Sequence, residues 1–252
     1  MASTRPRVEL IPIFEDNYVF CLIDHDNQEA LVIDPGEASK TSQFLKDNGL
    51  KLTGVLLTHH HNDHIGGVRS LVTEHPAPVI APKKNKTQIG AADTWVAEGE
   101  RVQLGPFNFE VLELPGHTLG HVAYWEPKLK WLFSGDVLFG LGCGRIFEGT
   151  YEQAYESLQR FKKLPMETLI YCTHEYTEAN LNFCNMLSNL DNSPITGDSE
   201  ELEMYANQLH SRREMDLPSV PLKLSVEMRV NPFLLAKSVS QFSYLRDLRN
   251  KQ

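Results

Sequence analysis

Thr58-His59-His60-His61-Asn62-Asp63-His64-Ile65-Gly66-Gly67 follows directly on a short apolar run at residues 54–57. Imidazole nitrogen and carboxylate oxygen are the donors that hold zinc and similar divalent ions, at about 2 Å from the metal. A loop leaving a strand can aim alternate residues the same way, which suits His59 and His61 to one ion. Asp63 and His64 come one step later, where the chain is expected to turn into a helix near Gly66-Gly67 and to aim at a second point. A run of histidines can also be a plain solvated loop. The interleaved aspartate, the strand in front and the double glycine behind favour a metal site.

Working outward, three further donors each sit at a strand end or tight loop. They are His117 in Leu114-Pro115-Gly116-His117-Thr118, Asp136 in Phe133-Ser134-Gly135-Asp136, and His174 in Tyr171-Cys172-Thr173-His174-Glu175. Functional groups of layered α/β folds gather where strands open into loops. Singly, each residue is more often a surface or capping group. Together with the histidine loop they complete a two-metal donor set, with Asp136 as the natural bridging carboxylate.

The surrounding chain alternates short apolar runs with turn residues up to about residue 176. Strands are expected at 18–23, 30–33, 54–57 and 79–81, with a helix at 37–48 closed by Gly49. Residues 103–104 and 107–114 flank Gly105-Pro106 as a hairpin, and 122–125 and 131–133 read as another pair. Thr150-Tyr151-Glu152-Gln153 has the spacing of a capping box ahead of a helix running towards Lys163, and 169–172 is expected to be the last strand. Beyond it come a helix at 177–190, a loop at 191–197 containing Pro194, and a helix opened by Asp198 and Glu201. Leu202, Tyr205, Ala206 and Leu209 form one apolar face of that helix. A closing helix is expected near 238–250, where Arg246 and Arg249, three apart, share a face. The sequence predicts an α/β domain over 1–176 and a smaller helical domain over 177–252.

The 252 residues carry 24 basic and 33 acidic side chains, a net charge of -9. Such a surface is a poor general binder of nucleic acid. The C-terminal end is locally positive, with Lys237, Arg246, Arg249 and Lys251 against Asp247. No apolar stretch is long enough to span a bilayer, and residues 1–10 hold two arginines and no apolar signal core. The four cysteines, Cys21, Cys143, Cys172 and Cys184, are widely spaced without a C-x-x-C pair. They are expected to be buried free thiols of a cytoplasmic protein. No membrane or nucleic-acid partner is expected.

The T-H-x-H-x-D-H motif, followed by G-H-T, S-G-D and a late H-E, resembles the metallo-β-lactamase superfamily. More narrowly, the chain resembles its glyoxalase II (hydroxyacylglutathione hydrolase) branch. That match rests on Asp16-Asn17-Tyr18, Val32-Ile33-Asp34-Pro35-Gly36, Gly142-Cys143-Gly144-Arg145-Ile146-Phe147-Glu148-Gly149, His174-Glu175-Tyr176-Thr177 and Asn231-Pro232-Phe233. The resemblance implies an α/β fold, a four-layer αββα sandwich with a smaller C-terminal α-helical domain. It implies two divalent ions, zinc first with iron or manganese as alternatives. His59, His61 and His117 would hold one ion, Asp63, His64 and His174 the other, and Asp136 both. Asp63 and Asp136 would be the carboxylates working with a metal-bridging hydroxide that attacks a thioester carbonyl.

The substrate so implied is a glutathione thioester, S-D-lactoylglutathione above all, in methylglyoxal detoxification by a monomeric enzyme. Arg145, Tyr176, Asn180, Arg246 and Arg249 would bind the glutathione half. Arg145, Phe147 and Arg249 stand where the family commonly has Lys, Tyr and Lys, changes that bear on the thiol carrier and leave the hydrolytic groups alone. The competing activities on such a scaffold are a broad thioesterase, a lactonase or a persulfide dioxygenase. A non-catalytic metal-stabilised scaffold would have eroded the donor set, and all seven donors are present.

Overall fold

The computed structural model describes residues 6–190 and 197–252, so the loop expected over 191–197 lies, but for Gly197, outside the described residues. The chain forms two compact units, one of Met1–Glu113 with Gly120–Leu129, the other of Leu114–Leu119 with Lys130–Gln252. Residues 177–252 all lie in the second.

The first unit carries a six-stranded sheet in sequential order, β1 (Arg7–Ile13), β2 (Asn17–Asp24), β3 (Glu29–Ile33), β4 (Lys51–Leu56), β5 (Val79–Pro82) and β6 (Thr94–Val96). The pairs β1–β2 and β2–β3 are antiparallel, while β3–β4, β4–β5 and β5–β6 are parallel. Parallel neighbours need crossovers. These contain α1 (Ala38–Asp47), then α2 (Asn62–Ile65) with α3 (Val68–Glu74), then α4 (Lys86–Ile89). Strands β7 (Arg101–Leu104), β8 (Phe107–Glu113) and β9 (Val122–Glu126) follow in antiparallel succession, β7 and β8 turning at Gly105-Pro106 as expected. Val19, Cys21, Val32, Val55, Leu57, Ala81, Leu45 and Leu71 form the centre of its core. All eight residues of β2 are buried, which is why it reads as one continuous apolar run.

Helix α1 ends where expected. Gly49 takes the left-handed conformation, φ 63°, and the Leu50 N–H reaches back to the Leu45 carbonyl at 2.9 Å. Glycine has a different use around the histidine loop. A Cβ on Gly36 would lie 1.8 Å from the Asp63 carbonyl oxygen, and one on Gly67 2.5 Å from the Ala38 nitrogen. The Pro35-Gly36 turn and the loop thus meet backbone to backbone, joined by a 3.0 Å bond from Gly67 N–H to the Pro35 carbonyl.

The second unit holds β10 (Trp131–Gly135), the hairpin β11 (Leu138–Phe139) and β12 (Gly142–Cys143), α5 (Tyr151–Phe161) and β13 (Leu169–Cys172). After β13 come α6 (Thr177–Ser188), α7 (Ser199–Glu214), β14 (Leu222–Lys223), α8 (Leu224–Val230), α9 (Pro232–Leu235) and α10 (Val239–Arg249). Strands β10 and β13 are parallel and β14 lies antiparallel on β13. So β13 is not the last strand. Two residues are too few to show a period of two, and β14 exists only through its partner. Thr150 and Gln153 complete the expected capping box at α5. At α7 the Asp198 side chain accepts from Glu201 N–H, but the Glu201 carboxylate pairs with Arg229 at 2.9 Å, so only half of a box forms. Leu202, Tyr205, Ala206 and Leu209 pack with Leu141, Leu181, Cys184 and Val230 as the periodicity predicts.

All four cysteines are free and buried, as expected, and burial pushes the Cys21 and Cys184 thiols up to about 12. None is poised as a thiolate nucleophile. Among the described residues no helix is long and apolar enough to cross a membrane.

Glu227 on α8 is fully buried. Burial pushes its carboxyl up from the usual 4.5 to about 7, against hydrogen bonds from Leu141, Asn231 and Tyr205 that favour the anion. The folded chain therefore holds this proton to about pH 7, while the unfolded chain releases it near 4.5. Stability falls as pH rises through that window, by on the order of 3 kcal/mol once above it. Glu227→Gln has no charge to bury. Its melting temperature should gain on the wild type between about pH 5 and about pH 8. A difference that stays constant across that range would refute the burial cost.

Candidate metal centre

In the first unit the donors are arranged around Asp34, at the end of β3, and the loop leaving β4. The Asp34 Oδ1 accepts from Thr58 N–H at 2.8 Å, and its Oδ2 accepts from the Thr58 hydroxyl at 2.6 Å and lies 3.0 Å from His64 Nδ1. Thr58 Oγ1 is also 3.0 Å from His59 Nδ1. A hydroxyl has one proton, and Thr58 gives it to Asp34, so it accepts from His59 Nδ1–H. Both imidazoles thereby carry their proton on Nδ1 and present Nε2 as a lone pair. His61 Nδ1 lies 3.0 Å from His59 Nε2, close to the separation of two ligands on one ion about 2 Å from each. Asp63 Oδ2 lies 3.4 Å from His64 Nε2 and accepts from Asn17 Nδ2 at 2.9 Å. His59 and His64 are wholly buried, while the Asp63 side chain keeps 40% of its exposure and so remains open to solvent. Asp34 itself stands at φ 52°, a conformation that a short polar side chain tolerates better than most.

In the second unit Asp136, just past β10, is the centre. Its Oδ2 lies 3.3 Å from His117 Nε2 and 3.4 Å from His174 Nε2, and its Oδ1 accepts from the Thr173 hydroxyl at 2.5 Å. His117 Nδ1 is 2.7 Å from the Arg145 carbonyl, which holds the proton there and aims Nε2 at the carboxylate. Tyr176 stacks on His174 at 4.7 Å between ring centroids and Phe147 meets His117 edge-on at 5.3 Å. Glu175, next to His174, is held by Ser219 through N–H and hydroxyl bonds of 2.7 and 2.5 Å.

The two groups thus bring together His59, His61, Asp63 and His64 in one unit, and His117, Asp136 and His174 in the other. Each converges ring nitrogens and carboxylate oxygens while a fixed acceptor occupies the far nitrogen of His59, His64 and His117. That is the donor chemistry of a divalent metal site. His121 stacks on His59 at 4.8 Å, and His60 Nδ1 meets Asn85 Nδ2 at 3.0 Å, so neither is idle. Sequence reasoning assigned no task to Asp34, Thr58, Asn17 or Thr173. Asp34 carried a signal, standing in Val-Ile-Asp-Pro-Gly at a strand end, as did Asn17 in Asp16-Asn17-Tyr18 and Thr58 at the head of T-H-x-H-x-D-H; Thr173 had none.

The residues expected to bind the thiol carrier lie in the second unit. Arg246, expected on a helix face, is only 5% exposed; it donates from Nη1 to the Cys143 carbonyl at 2.8 Å, from Nε to Asn250 at 3.1 Å, and lies over Phe233. Arg249 donates from Nε to Asn180 Oδ1 at 3.1 Å, while Asn180 Nδ2 donates to the Gly140 carbonyl at 2.9 Å. Burial, with Arg246 and Arg145 nearby, lowers the Arg249 pKa. The Arg145 guanidinium lies over the Phe147 ring, itself 60% exposed and so open to a ligand.

Histidines and aspartates presented from the strand ends of an α/β fold define a metal-dependent enzyme of the metallo-β-lactamase superfamily, whose family model matches residues 16–174. A second model, for the hydroxyacylglutathione hydrolase C-terminus, matches residues 175–252. A hydroxyacylglutathione hydrolase of Bdellovibrio bacteriovorus is 64% identical over 99% of this chain and 100% of its own length, and the chain belongs to the hydroxyacylglutathione hydrolase family. Among solved structures, ETHE1 from Myxococcus xanthus is 25% identical and superposes with a TM-score of 0.71, covering 97% of this chain and 90% of its own. TTHA1623, solved in a di-iron-bound form, is 29% identical with a TM-score of 0.54, over 68% of this chain and 92% of its own.

Proposed function

We propose that the protein hydrolyses 2-hydroxyacyl thioesters of glutathione, S-D-lactoylglutathione among them, to glutathione and the hydroxy acid. The observation that carries this reading is the near-full-length kinship with a hydroxyacylglutathione hydrolase, in a chain that keeps every donor of the motif set. On the family's pattern His59, His61 and His117 would hold one divalent ion, Asp63, His64 and His174 a second, and Asp136 both. The nitrogen and oxygen donors suit zinc, which we take as the native metal, and suit iron and manganese as well. The di-iron form of TTHA1623 supports two ions on this fold. When bound, such ions lower the pKa of water to near neutrality and take up charge from a carbonyl oxygen.

The chain's own groups supply the rest. Asp34 and Thr58 keep His59 and His64 protonated on Nδ1, so their outer nitrogens are always available. Thr173 occupies Oδ1 of Asp136 and leaves Oδ2 facing the two imidazoles. Water adds to the thioester carbonyl, the C–S bond breaks, and the thiol of glutathione departs. A thiolate leaves readily, so no dedicated general acid is required.

Recognition of the carrier falls to Arg145, Tyr176, Asn180, Arg246 and Arg249, with residues 1–176 as catalytic domain and 177–252 as substrate-binding domain. A tripeptide ending in carboxylates suits guanidinium groups on an otherwise acidic protein. We take the enzyme to be a cytoplasmic monomer. The test is hydrolysis of S-D-lactoylglutathione beside the D-lactoyl thioester of N-acetylcysteamine. Strong preference for the glutathione ester is expected; equal turnover would remove glutathione from the reading, and no turnover of either would overturn it. Arg249→Ala is the cleaner probe of the carrier site, because Arg246 also braces the Cys143 carbonyl. It should raise KM for the glutathione ester about tenfold with kcat nearly unchanged. A fall in kcat at constant KM would contradict the assignment.

A further inference from the structure

Nothing in the hydrolytic chemistry calls for Glu227, yet a fully buried carboxylate is costly to keep. Its bonds show what it is tied to. Oε2 accepts from Leu141 N–H and from Asn231 Nδ2, both at 2.9 Å, and Oε1 accepts from the Tyr205 hydroxyl at 2.9 Å. Asn231 Nδ2 also reaches the Phe139 and Gly142 carbonyls at 3.1 Å each. Of these, Phe139, Leu141 and Gly142 belong to the β11–β12 hairpin, whose turn puts Leu141 at φ 57°, a conformation that leucine rarely adopts. A turn of this kind persists only when its surroundings over-determine it.

The same hairpin carries the anchors of the carrier-binding side chains. The Gly140 carbonyl holds Asn180, whose Oδ1 accepts from Arg249, and the Cys143 carbonyl at the end of β12 holds Arg246. We propose that Glu227 is a positioning residue for thiol-carrier recognition: by fixing the β11–β12 turn it sets Asn180, Arg246 and Arg249. The proposal rests on the carrier-binding reading above. The hydrogen bonds of Glu227 run to Leu141, Asn231 and Tyr205, so its influence falls on binding rather than on bond breaking.

The bonding predicts how substitutions differ. In Glu227→Gln the amide oxygen can still accept from Leu141 and Asn231, while the amide NH2 donates to the Tyr205 oxygen, since a phenol can accept as well as donate. In Glu227→Ala all three donors lose their acceptor. Glu227→Gln combined with Tyr205→Phe leaves the amide NH2 facing a ring that cannot accept.

The test compares full-length, zinc-loaded wild type with these three variants. It reads KM and kcat for S-D-lactoylglutathione, the calorimetric Kd of glutathione, and bound zinc. Glu227→Ala should raise KM and the glutathione Kd about tenfold, with kcat within about twofold and zinc content unchanged. Glu227→Gln should stay near wild type, and the double variant should rise several-fold towards Glu227→Ala; this pair keeps the test intact if Glu227→Ala does not fold. Unchanged KM and Kd in Glu227→Ala or, should it not fold, in the double variant would overturn the proposal. So would a joint loss of kcat and zinc, the mark of general disruption. Wild type that binds glutathione in a Glu227-dependent way yet leaves the thioester intact would overturn the hydrolase reading and uphold the positioning one.

Discussion

Asp136→Ala is expected to lower hydrolysis of S-D-lactoylglutathione by on the order of 10³-fold or more and to reduce bound metal in the same protein. The carboxylate is enclosed, 5% exposed, with Oδ2 within 3.3 and 3.4 Å of the His117 and His174 nitrogens. Alanine leaves two ring nitrogens and the Thr173 hydroxyl without the anion they surround. Asp136→Asn separates charge from shape: the amide keeps an oxygen for one contact but cannot neutralise a cation. It should lose nearly as much activity. Steady-state kinetics and elemental analysis of the same preparation decide the matter. Near-wild-type turnover in Asp136→Ala would sink the dinuclear mechanism.

The second large effect is expected one hydrogen bond behind the proposed metal ligands. Asp34→Asn should lower metal affinity and activity by about 10–100-fold, the usual consequence of losing an outer partner of a ligating histidine. One carboxylate receives three donors, Thr58 N–H, the Thr58 hydroxyl and His64 Nδ1–H, at 2.8, 2.6 and 3.0 Å. An amide has one acceptor oxygen and turns an NH2 towards the remainder. His59 would then lose the fixed tautomer that Thr58 imposes, and His64 the anion that makes its ring more basic. Asparagine tolerates the left-handed backbone at this position, φ 52°, so the fold should survive. Zinc affinity is measured by competition with a chromophoric chelator and folding by thermal melting. Wild-type affinity in a well-folded Asp34→Asn would show that the carboxylate is structural only.

Much of the local architecture was legible because its causes are local. Thr150 and Gln153 close their box within one helical turn, and Gly49 ends α1 by its own conformational freedom. The histidine loop announced its chemistry through donor type and spacing over six positions. The seven-residue β1 escaped, and so did β14 and the two strands of the β11–β12 hairpin, which have two residues each and no internal signal. Neither alternation nor a hydrophobic run can be seen at that length.

Residue type and short-range spacing were thus enough to propose the donors, to predict most helices and strands, and to point to a hydrolase of glutathione thioesters by resemblance. Which side chain holds which was settled by tertiary structure, since those pairings depend on strand neighbours distant in sequence. Asp34 reaches Thr58 and His64 because β3 and β4 are parallel neighbours with Ile33 opposite Leu56, so the residues after each strand meet at the same end of the sheet. Thr173 finds Asp136 for the same reason, through the parallel pair β10 and β13. Arg246 shows the limit most plainly. Helical periodicity placed it beside Arg249 on one face, but its burial follows from a carbonyl acceptor 103 residues away, at Cys143. A buried guanidinium is stable only where such an acceptor and an aromatic ring await it, and only packing brings them there.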